Sequence, residues 1–179
     1  MSNLKILTDP NPKLRAKSTP VESVDKETKQ QIADMLELLR TLPGYGLAAP
    51  QVGIGKRIVI IENQPTYDEE GKQINTSLPL LVLINPVVTK YSTEKCTFEE
   101  GCFSVPLHRG DVERPKKVKI ISMNDKGEKV QINASGLMAR VLQHEIDHLD
   151  GILFTDLITD KSKLIKNEIG PEWQEAIEG

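Results

Sequence analysis

The sequence lacks any long apolar run, and this absence excludes most classes of membrane protein. No segment reaches the ~18–20 apolar residues of a membrane-spanning helix, and no apolar stretch follows the N-terminus as in a signal peptide. An excess of basic residues is also missing, since 23 Lys and Arg stand against 26 Asp and Glu. We therefore expect a cytoplasmic protein with no membrane segment and no specific nucleic-acid binding. A local basic patch would not show at this level.

Cysteine and histidine are scarce, with 2 Cys and 3 His in the chain. In a reducing compartment, Cys96 and Cys102 are more typical of thiols or metal ligands than of a disulfide. Cys96 lies in no recognisable motif, so we expect it to be a small buried side chain.

Length and patterning predict one domain over residues 1–179, with a C-terminal tail at 159–179 that holds a short helix after Pro171. Apolar residues at three- and four-residue spacing predict helices over 24–42 and 135–149. Strands are predicted at 57–62, 80–85, 87–91, 117–123 and 129–133, with Pro86 as a break and 63–77 as a surface loop. The fold class is therefore α+β, with short antiparallel strands packed around a central helix.

The strongest chemical signal is a His-Glu-x-x-His pattern inside the second predicted helix. His144 and His148 lie four residues apart, so both imidazoles occupy one helix face and can reach one metal ion. Glu145 is rotated ~100° from His144, which suits a base that acts on metal-bound water without ligating the metal. The alternative is two histidines that fall four apart by chance on a solvated helix.

A catalytic metal needs a third protein ligand and one open position. Cys102 is the candidate, because Gly101 permits a close backbone approach and a thiolate is a good ligand. For most lone cysteines the better interpretation is a small buried side chain. A third segment, 44–53, combines glycines, small apolar residues and the amide of Gln51. On its own this segment is equally explained by a turn after the first helix.

Together these segments resemble those of the peptide deformylase family. That family is marked by a Gly-x-Gly-Leu-Ala-Ala-x-Gln loop, a Glu-Gly-Cys-Leu-Ser segment and a Gln-His-Glu-x-Asp-His helix. Here they correspond to residues 44–51, 100–104 and 143–148, in the same order. Phe103 stands where leucine is usual, which leaves the local packing and pocket shape open.

The resemblance implies how the metal would be held and used. Cys102, His144 and His148 would ligate one divalent ion, with water in the fourth position. Glu145 would activate that water as general base and then protonate the leaving amine. The reaction would be hydrolysis of the N-formyl group from the initiator methionine of nascent polypeptides, with release of formate. The native metal would be Fe²⁺, with Zn²⁺, Ni²⁺ or Co²⁺ binding on substitution.

The resemblance also implies the rest of the site. Gln51 and the backbone N–H of Phe103 would hydrogen-bond the oxyanion formed from the formyl carbonyl. Tyr45, Gly46 and Leu47 would line the substrate cleft. The partners would be formyl-methionyl nascent peptides, with a transient ribosome contact. Some family members dock on the ribosome through a C-terminal helix, but no basic residue follows Lys166 here, and an acidic tail disfavours contact with ribosomal RNA.

The sequence gives weaker support for a role in the site to several other residues. Leu137 and Val141 precede His144 on its helix face, so they are mainly core and would also wall a methionine pocket. Arg109 would touch the substrate backbone at the cleft rim, unless it is only solvated. His108 is expected to be a surface loop residue.

Three charged residues near the motifs allow two interpretations each. Asp147 suits either an acceptor for a ligating histidine or a structural salt bridge. Glu100 and Arg114 would pair beneath the cleft, or they are two solvated charges.

Two other functional classes compete with this interpretation. A zinc peptidase that cleaves internal amide bonds would share the helix motif, but it would leave the 44–53 and 100–104 segments unexplained. A non-enzymatic binding module is disfavoured because the three ligands, the general base and Gln51 are all present.

Overall fold

The computed structural model describes residues 4–106, 108–158 and 160–166. In these ranges, no helix combines the length and the apolar character that crossing a membrane requires. The predicted tail helix after Pro171 lies outside the described residues, and the single domain expected over 1–179 stays a prediction.

Two α-helices are present, α1 (Lys26–Leu39) and α2 (Gly136–Leu149). α1 begins later than the predicted residue 24 because the Asp25 side chain caps it, accepting a 2.8 Å hydrogen bond from the backbone N–H of Thr28. It ends before the predicted residue 42, because the backbone at Thr41 and Leu42 turns back on Leu38 and Leu39. α2 agrees with its prediction to within one residue.

The larger sheet is antiparallel and has five strands in the order β1-β2-β3-β6-β7. These strands are β1 (Gly46–Ala48), β2 (Ile58–Asn63), β3 (Leu78–Tyr91), β6 (Lys117–Met123) and β7 (Lys129–Ser135). The hairpin predicted between β6 and β7 is confirmed, with Lys117 opposite Ser135 and Met123 opposite Lys129.

β3 corrects the prediction of two strands broken at Pro86. The strand is continuous because the register with β6 shifts between Ile84 and Val87, and proline is tolerated at such an irregularity. Asn85 adopts φ 53° beside it. Its side-chain amide accepts from and donates to the backbone of Val21, at 2.8 Å each, which supports this conformation.

A second, three-stranded sheet has the order β4-β5-β8. It contains β4 (Lys95–Gly101), β5 (His108–Pro115) and β8 (Ile165–Lys166). The sequence analysis missed it, because most β4 residues are exposed and give no clear apolar alternation. The expectation that His108 lies in a surface loop is wrong, since it begins β5 and is half-buried.

The core lies on both faces of the larger sheet. On one face, Val118 and Ile120 of β6 pack with Leu142 and Leu149 of α2. On the other face, the buried residues of α1 pack on the opposite side chains of β2. α2 therefore lies between the larger sheet and the residues that follow β4, which places its polar face at the boundary between the two sheets. This arrangement confirms the α+β class.

Candidate metal centre and active site

Three potential ligands converge where α2 meets the segment after β4. His144 and His148 lie one turn apart on α2, with ring centroids 5.0 Å apart and planes at 80°. Cys102 Sγ lies 3.2 Å from His148 Nε2. One ligand atom from each of the three residues lies within 4.8 Å of the others. This spread suits a common ion, because Zn–S and Zn–N bonds are ~2.3 Å and ~2.0–2.1 Å.

The charge around this cluster also fits a divalent cation. Glu145 is 5% exposed, and its Oε2 atom has no hydrogen-bond partner among the described residues. Cys102 is 7% exposed and would add a second negative charge as a thiolate. Buried charges are normally paired, and two negative charges match one divalent ion.

The surroundings shift the pKa values of the two histidines in opposite directions. Burial, followed by repulsion from His144, holds the pKa of His148 well below its usual value, so its ring is neutral as ligation requires. Burial also lowers the pKa of His144, but hydrogen bonds with Cys102 and Glu100 outweigh it and raise that pKa well above 6.5. Ligation of a metal requires the neutral form of this ring.

Glu100 fixes the orientation of the His144 ring. Its Oε2 accepts from His144 Nδ1 at 2.9 Å, which leaves His144 Nε2 for the ligand cluster. Arg114 donates from Nε and Nη2 to the two Glu100 oxygens at 2.6 and 2.9 Å. Arg140 donates to Glu100 Oε1 at 2.6 Å. The pairing of Glu100 with Arg114 was expected from the sequence, whereas the contact of Arg140 was not. Arg140 lies one turn before His144 on α2.

Asp147 is a salt-bridge residue rather than an acceptor for a ligating histidine. Arg114 Nη1 donates to Asp147 Oδ2 at 2.7 Å. Of the two roles that the sequence allowed for Asp147, the structure shows the salt bridge. Burial raises the pKa of Asp147, and Arg114 opposes that rise.

Glu145 faces the cluster across from β1. Burial raises the pKa of its carboxyl to about 7, and the nearby charge of His144 lowers it in part. A β-carbon on Gly46 would lie 2.7 Å from Glu145 Oε1. Glycine at position 46 thus provides the space that this carboxylate occupies.

Gln51 presents its amide nitrogen to the same cluster. Its Oε1 accepts from the backbone N–H of Ala48 at 2.8 Å, which determines which end of the amide points inward. Its Nε2 lies 3.5 Å from Cys102 Sγ and 3.3 Å from Ser104 Oγ. The side chain is 1% exposed, so it forms a fixed buried donor.

A cavity of about 680 Å³ opens onto this group. Its lining includes Tyr45, Gly46, Gln51, Cys102, Phe103, Arg109, Leu137, Val141, His144 and Glu145. The structure therefore brings together nearly all of the predicted site residues. The cavity is large enough for several residues of a peptide.

A sequence profile described as Polypeptide deformylase matches residues 3–164. The chain belongs to the peptide deformylase family. It is 46% identical to a peptide deformylase of Rhizorhabdus wittichii over 151 residues, which cover 84% of each chain.

Solved members of the family share the fold. The structure of the Ehrlichia chaffeensis deformylase in complex with actinonin has a TM-score of 0.80 and 36% identity, covering 91% of this chain and 92% of that one. The Met-Ala-Ser-bound enzyme of Acinetobacter baumannii has a TM-score of 0.78 and 34% identity, covering 88% and 100%.

Two expectations for individual residues need correction. Leu47 does not line the cavity, because its side chain is fully buried in the core with Met35 and Ile60. Side chains alternate along β1, and Leu47 points away from the face of Gly46. Cys96 is half-buried rather than buried, and its carbonyl accepts a 2.8 Å hydrogen bond from Arg140.

Proposed function

We propose that this deformylase removes the formyl group by general acid–base catalysis at Glu145 beside a divalent metal ion. The activity itself, removal of the formyl group from the N-terminal methionine of nascent polypeptides, is that of the family. The observation that carries the proposed mechanism is the convergence of three ligand atoms, one unpartnered carboxylate oxygen and one buried amide donor at a single cavity.

Cys102, His144 and His148 would hold the metal. When bound, a divalent ion lowers the pKa of a coordinated water and polarises the formyl carbonyl. We propose Fe²⁺ as the native ion, with Zn²⁺, Ni²⁺ or Co²⁺ able to substitute. One thiolate and two imidazoles suit each of these metals.

Glu145 would move the protons. Burial raises the pKa of its carboxyl to about 7, which suits a group that both accepts and donates a proton near neutral pH. It would take a proton from the attacking water and then give it to the amine as the C–N bond breaks. Its position against Gly46 keeps the carboxylate between the ligand cluster and the cavity.

Gln51 and the backbone N–H of Phe103 would stabilise the oxyanion. The Gln51 amide is already fixed by Ala48, so little reorganisation is required during the reaction. Phe103 follows Cys102 directly, so its backbone N–H would lie beside the reacting carbonyl of a substrate held at a metal on Cys102. A donor aimed in this way is worth roughly 3–4 kcal/mol in the transition state.

The cavity beyond the ligand cluster would bind the start of the nascent chain. Leu137 and Val141 would contact the methionine side chain, with Tyr45 and Gly46 on the opposite wall. The Acinetobacter relative was solved with Met-Ala-Ser bound. Arg109 would contact the peptide backbone at the rim, where it lies 3.6 Å from Glu99 and is largely exposed.

The cellular setting follows from the substrate. We place the enzyme in the cytoplasm, where new chains are made and where a thiol ligand stays reduced. We also propose a transient contact with the ribosome.

The direct test measures formate release from formyl-Met-Ala-Ser by anaerobically purified protein of known metal content. Matched substrates are the acetylated and unmodified peptides. Because only the formyl peptide can yield formate, the acetylated peptide is assayed for acetate and a new N-terminal amine. We expect formate from the formyl peptide and no cleavage of the other two peptides. Cleavage of an internal amide bond with the formyl group left in place would identify a peptidase and contradict the proposal.

A further inference from the structure

We infer that the sheet face carrying Lys90, Lys117 and Lys119, here called the lysine face, is a docking surface for RNA. Lys90 and Lys119 are register partners across β3 and β6. Lys117 lies two residues before Lys119 and shares its face, because side chains alternate along a strand. Neighbouring strands lie ~5 Å apart and alternate residues ~7 Å apart. Three ammonium groups therefore project from one small area.

The lysine face is turned away from the metal centre. Val118 and Ile120, the β6 residues between and beyond the lysines, are buried in the cluster that includes α2. The lysines accordingly project from the opposite side of the sheet. Lys90 and Lys117 are exposed and Lys119 is half-buried. A ligand on this face would leave the substrate cavity open.

No acidic residue compensates the lysines within the strands that form this face. Residues 84–91, 117–123 and 129–135 contain no Asp or Glu. On β7, the register partners of Lys117 and Lys119 are Ser135 and Asn133.

Ion pairing elsewhere in the described ranges does not neutralise the lysine face either. None of its three lysines has a carboxylate oxygen within 4.0 Å in that part of the chain. A hydrogen bond from Lys116 and, to a smaller extent, the charge of Lys117 lower the pKa of Glu94, but the Glu94 carboxylate forms its ion pair with Lys116 at 2.7 Å.

This arrangement costs stability that an external anion would offset. Like charges directly opposite each other on neighbouring strands are destabilising. The smaller sheet of the same protein avoids this, since Lys95 on β4 pairs with Glu113 on β5 at 2.9 Å. The chain has more acidic than basic residues, with a formal net charge of −3, yet none of the acidic residues lies in β3, β6 or β7. A polyanionic partner would supply the negative charge that these strands lack.

RNA suits this surface better than an anionic membrane. Membrane-binding surfaces combine basic residues with large apolar side chains that insert into the bilayer. The exposed apolar residues near the lysines are Val87 and Tyr91, and Tyr91 is the register partner of Val118, which faces α2. The choice of RNA rests on the proposed function, because an enzyme of nascent chains works beside the ribosome, whose surface is largely RNA. Lysine contacts to phosphates carry no sequence preference, in keeping with the absence of specific nucleic-acid binding expected from the sequence.

The test measures binding of a fluorescent 20-nucleotide RNA hairpin to the metal-loaded enzyme by anisotropy across a salt series. The variant replaces Lys90, Lys117 and Lys119 with Gln. A matched control replaces three exposed lysines elsewhere, Lys17, Lys26 and Lys29, with Gln, so that both proteins have the same net charge. We expect the lysine-face variant to lose at least about tenfold in affinity at low salt and to reduce the slope of log K against log salt by about 2–3. The control should bind like wild type.

The two assays distinguish a failure of the RNA-docking inference from a failure of the proposed function. Hydrolysis of formyl-Met-Ala-Ser should be equal in all three proteins, because the lysines lie outside the metal centre. Equal loss of RNA binding in both variants would show an effect of net charge alone and would overturn the inference. So would lysine-dependent binding to anionic phospholipid vesicles without binding to the hairpin. If the wild-type protein did not hydrolyse formyl-Met-Ala-Ser, that result would instead count against the proposed function.

Discussion

The ring of Phe103 occupies the space where a side chain on Gly44 would stand. A β-carbon built on Gly44 would lie 2.2 Å from Phe103 Cζ, far inside contact distance. Phe103 is 7% exposed and packs in the core cluster that also contains Leu42 and Leu47. The family usually has leucine at position 103. The larger phenylalanine ring fits here because residue 44 is glycine and has no side chain. The contact ties the segment after Cys102 to the loop that precedes β1.

The Gly44–Phe103 contact predicts a coupled pair of substitutions. Gly44→Ala should destabilise the protein by about 1–3 kcal/mol, as overpacking usually does, and should lower kcat/KM by shifting the Phe103 backbone. Phe103→Leu should restore much of both losses in the double variant, since leucine leaves room for the methyl group. Thermal unfolding and peptide hydrolysis of the four proteins would measure this coupling. Additive effects would show that the two residues do not depend on each other.

Glu145→Gln should separate catalysis from metal binding. The amide keeps the size of the side chain but cannot accept the proton, so we expect a full metal complement and a loss of activity of at least ~100-fold. His148→Ala should lose metal as well as activity, because it removes one of three ligands. Elemental analysis beside turnover would check both. A metal-free Glu145→Gln protein would mean that Glu145 is a ligand or supports one.

The two cysteines provide a matched pair. Cys102→Ser should lose tight metal binding, whereas Cys96→Ser should keep it, because Cys96 contacts Arg140 and not the ligand cluster. We also expect the iron-loaded enzyme to be inactivated by peroxide through oxidation of a metal-bound thiolate. Equal metal content in the two variants would remove Cys102 from the ligand set.

Glu100 should make the metal-free protein sensitive to acid. Burial opposes its charge, but hydrogen bonds from His144 and Arg114 outweigh burial and lower its pKa from 4.5 to about 2. A carboxyl with a lowered folded-state pKa contributes stability that is complete above its unfolded pKa and is lost as pH falls through the folded one. We expect on the order of 3 kcal/mol to be lost between ~pH 5 and ~pH 2. Urea unfolding should show this dependence in wild type and not in Glu100→Gln, and parallel pH curves for the two proteins would refute the assignment.

The apolar wall of the cavity predicts substrate preference. Burial of one methionine side chain contributes about 1.5–3 kcal/mol, so formyl-Met peptides should be hydrolysed far faster than formyl-Asp peptides. Val141→Asp should reduce that preference, because it puts a charge on the wall. Competition assays with the two peptides would measure the ratio. Comparable rates in wild type would exclude an apolar pocket.

The bounds of α2 could be predicted from sequence to within one residue, because its two histidines and its apolar face follow the same helical periodicity. The β6–β7 hairpin was also predictable, since its turn residues are strong signals. The β4–β5 hairpin was not, because β4 is mostly exposed and the buried positions of β5 are Gly110, Val112 and Arg114, only one of which is a β-branched apolar residue. The continuous β3 was missed because a bulge that tolerates Pro86 leaves no mark in sequence.

Within the site, the residue types were predictable and several contacts were not. The spacing of His144 and His148 is sufficient to place both on one helix face. That Glu100 binds His144, and that Arg140 binds Glu100, depends on how β4 packs beside α2. The position of Leu47 depends on the strand register of β1, which no residue pattern near it reveals.

The three proposed ligands come from different parts of the fold, so a bound ion would link the segment after β4 to α2. Cys102 follows β4 of the smaller sheet, whereas the two histidines lie on the helix that covers the larger one. Closing this contact joins residues 46 positions apart in the chain, which is entropically costly for an unfolded polypeptide. An ion that binds only the assembled site would stabilise the folded state by mass action. Loss of a metal bound at this site would therefore lower the stability of the fold as well as the activity.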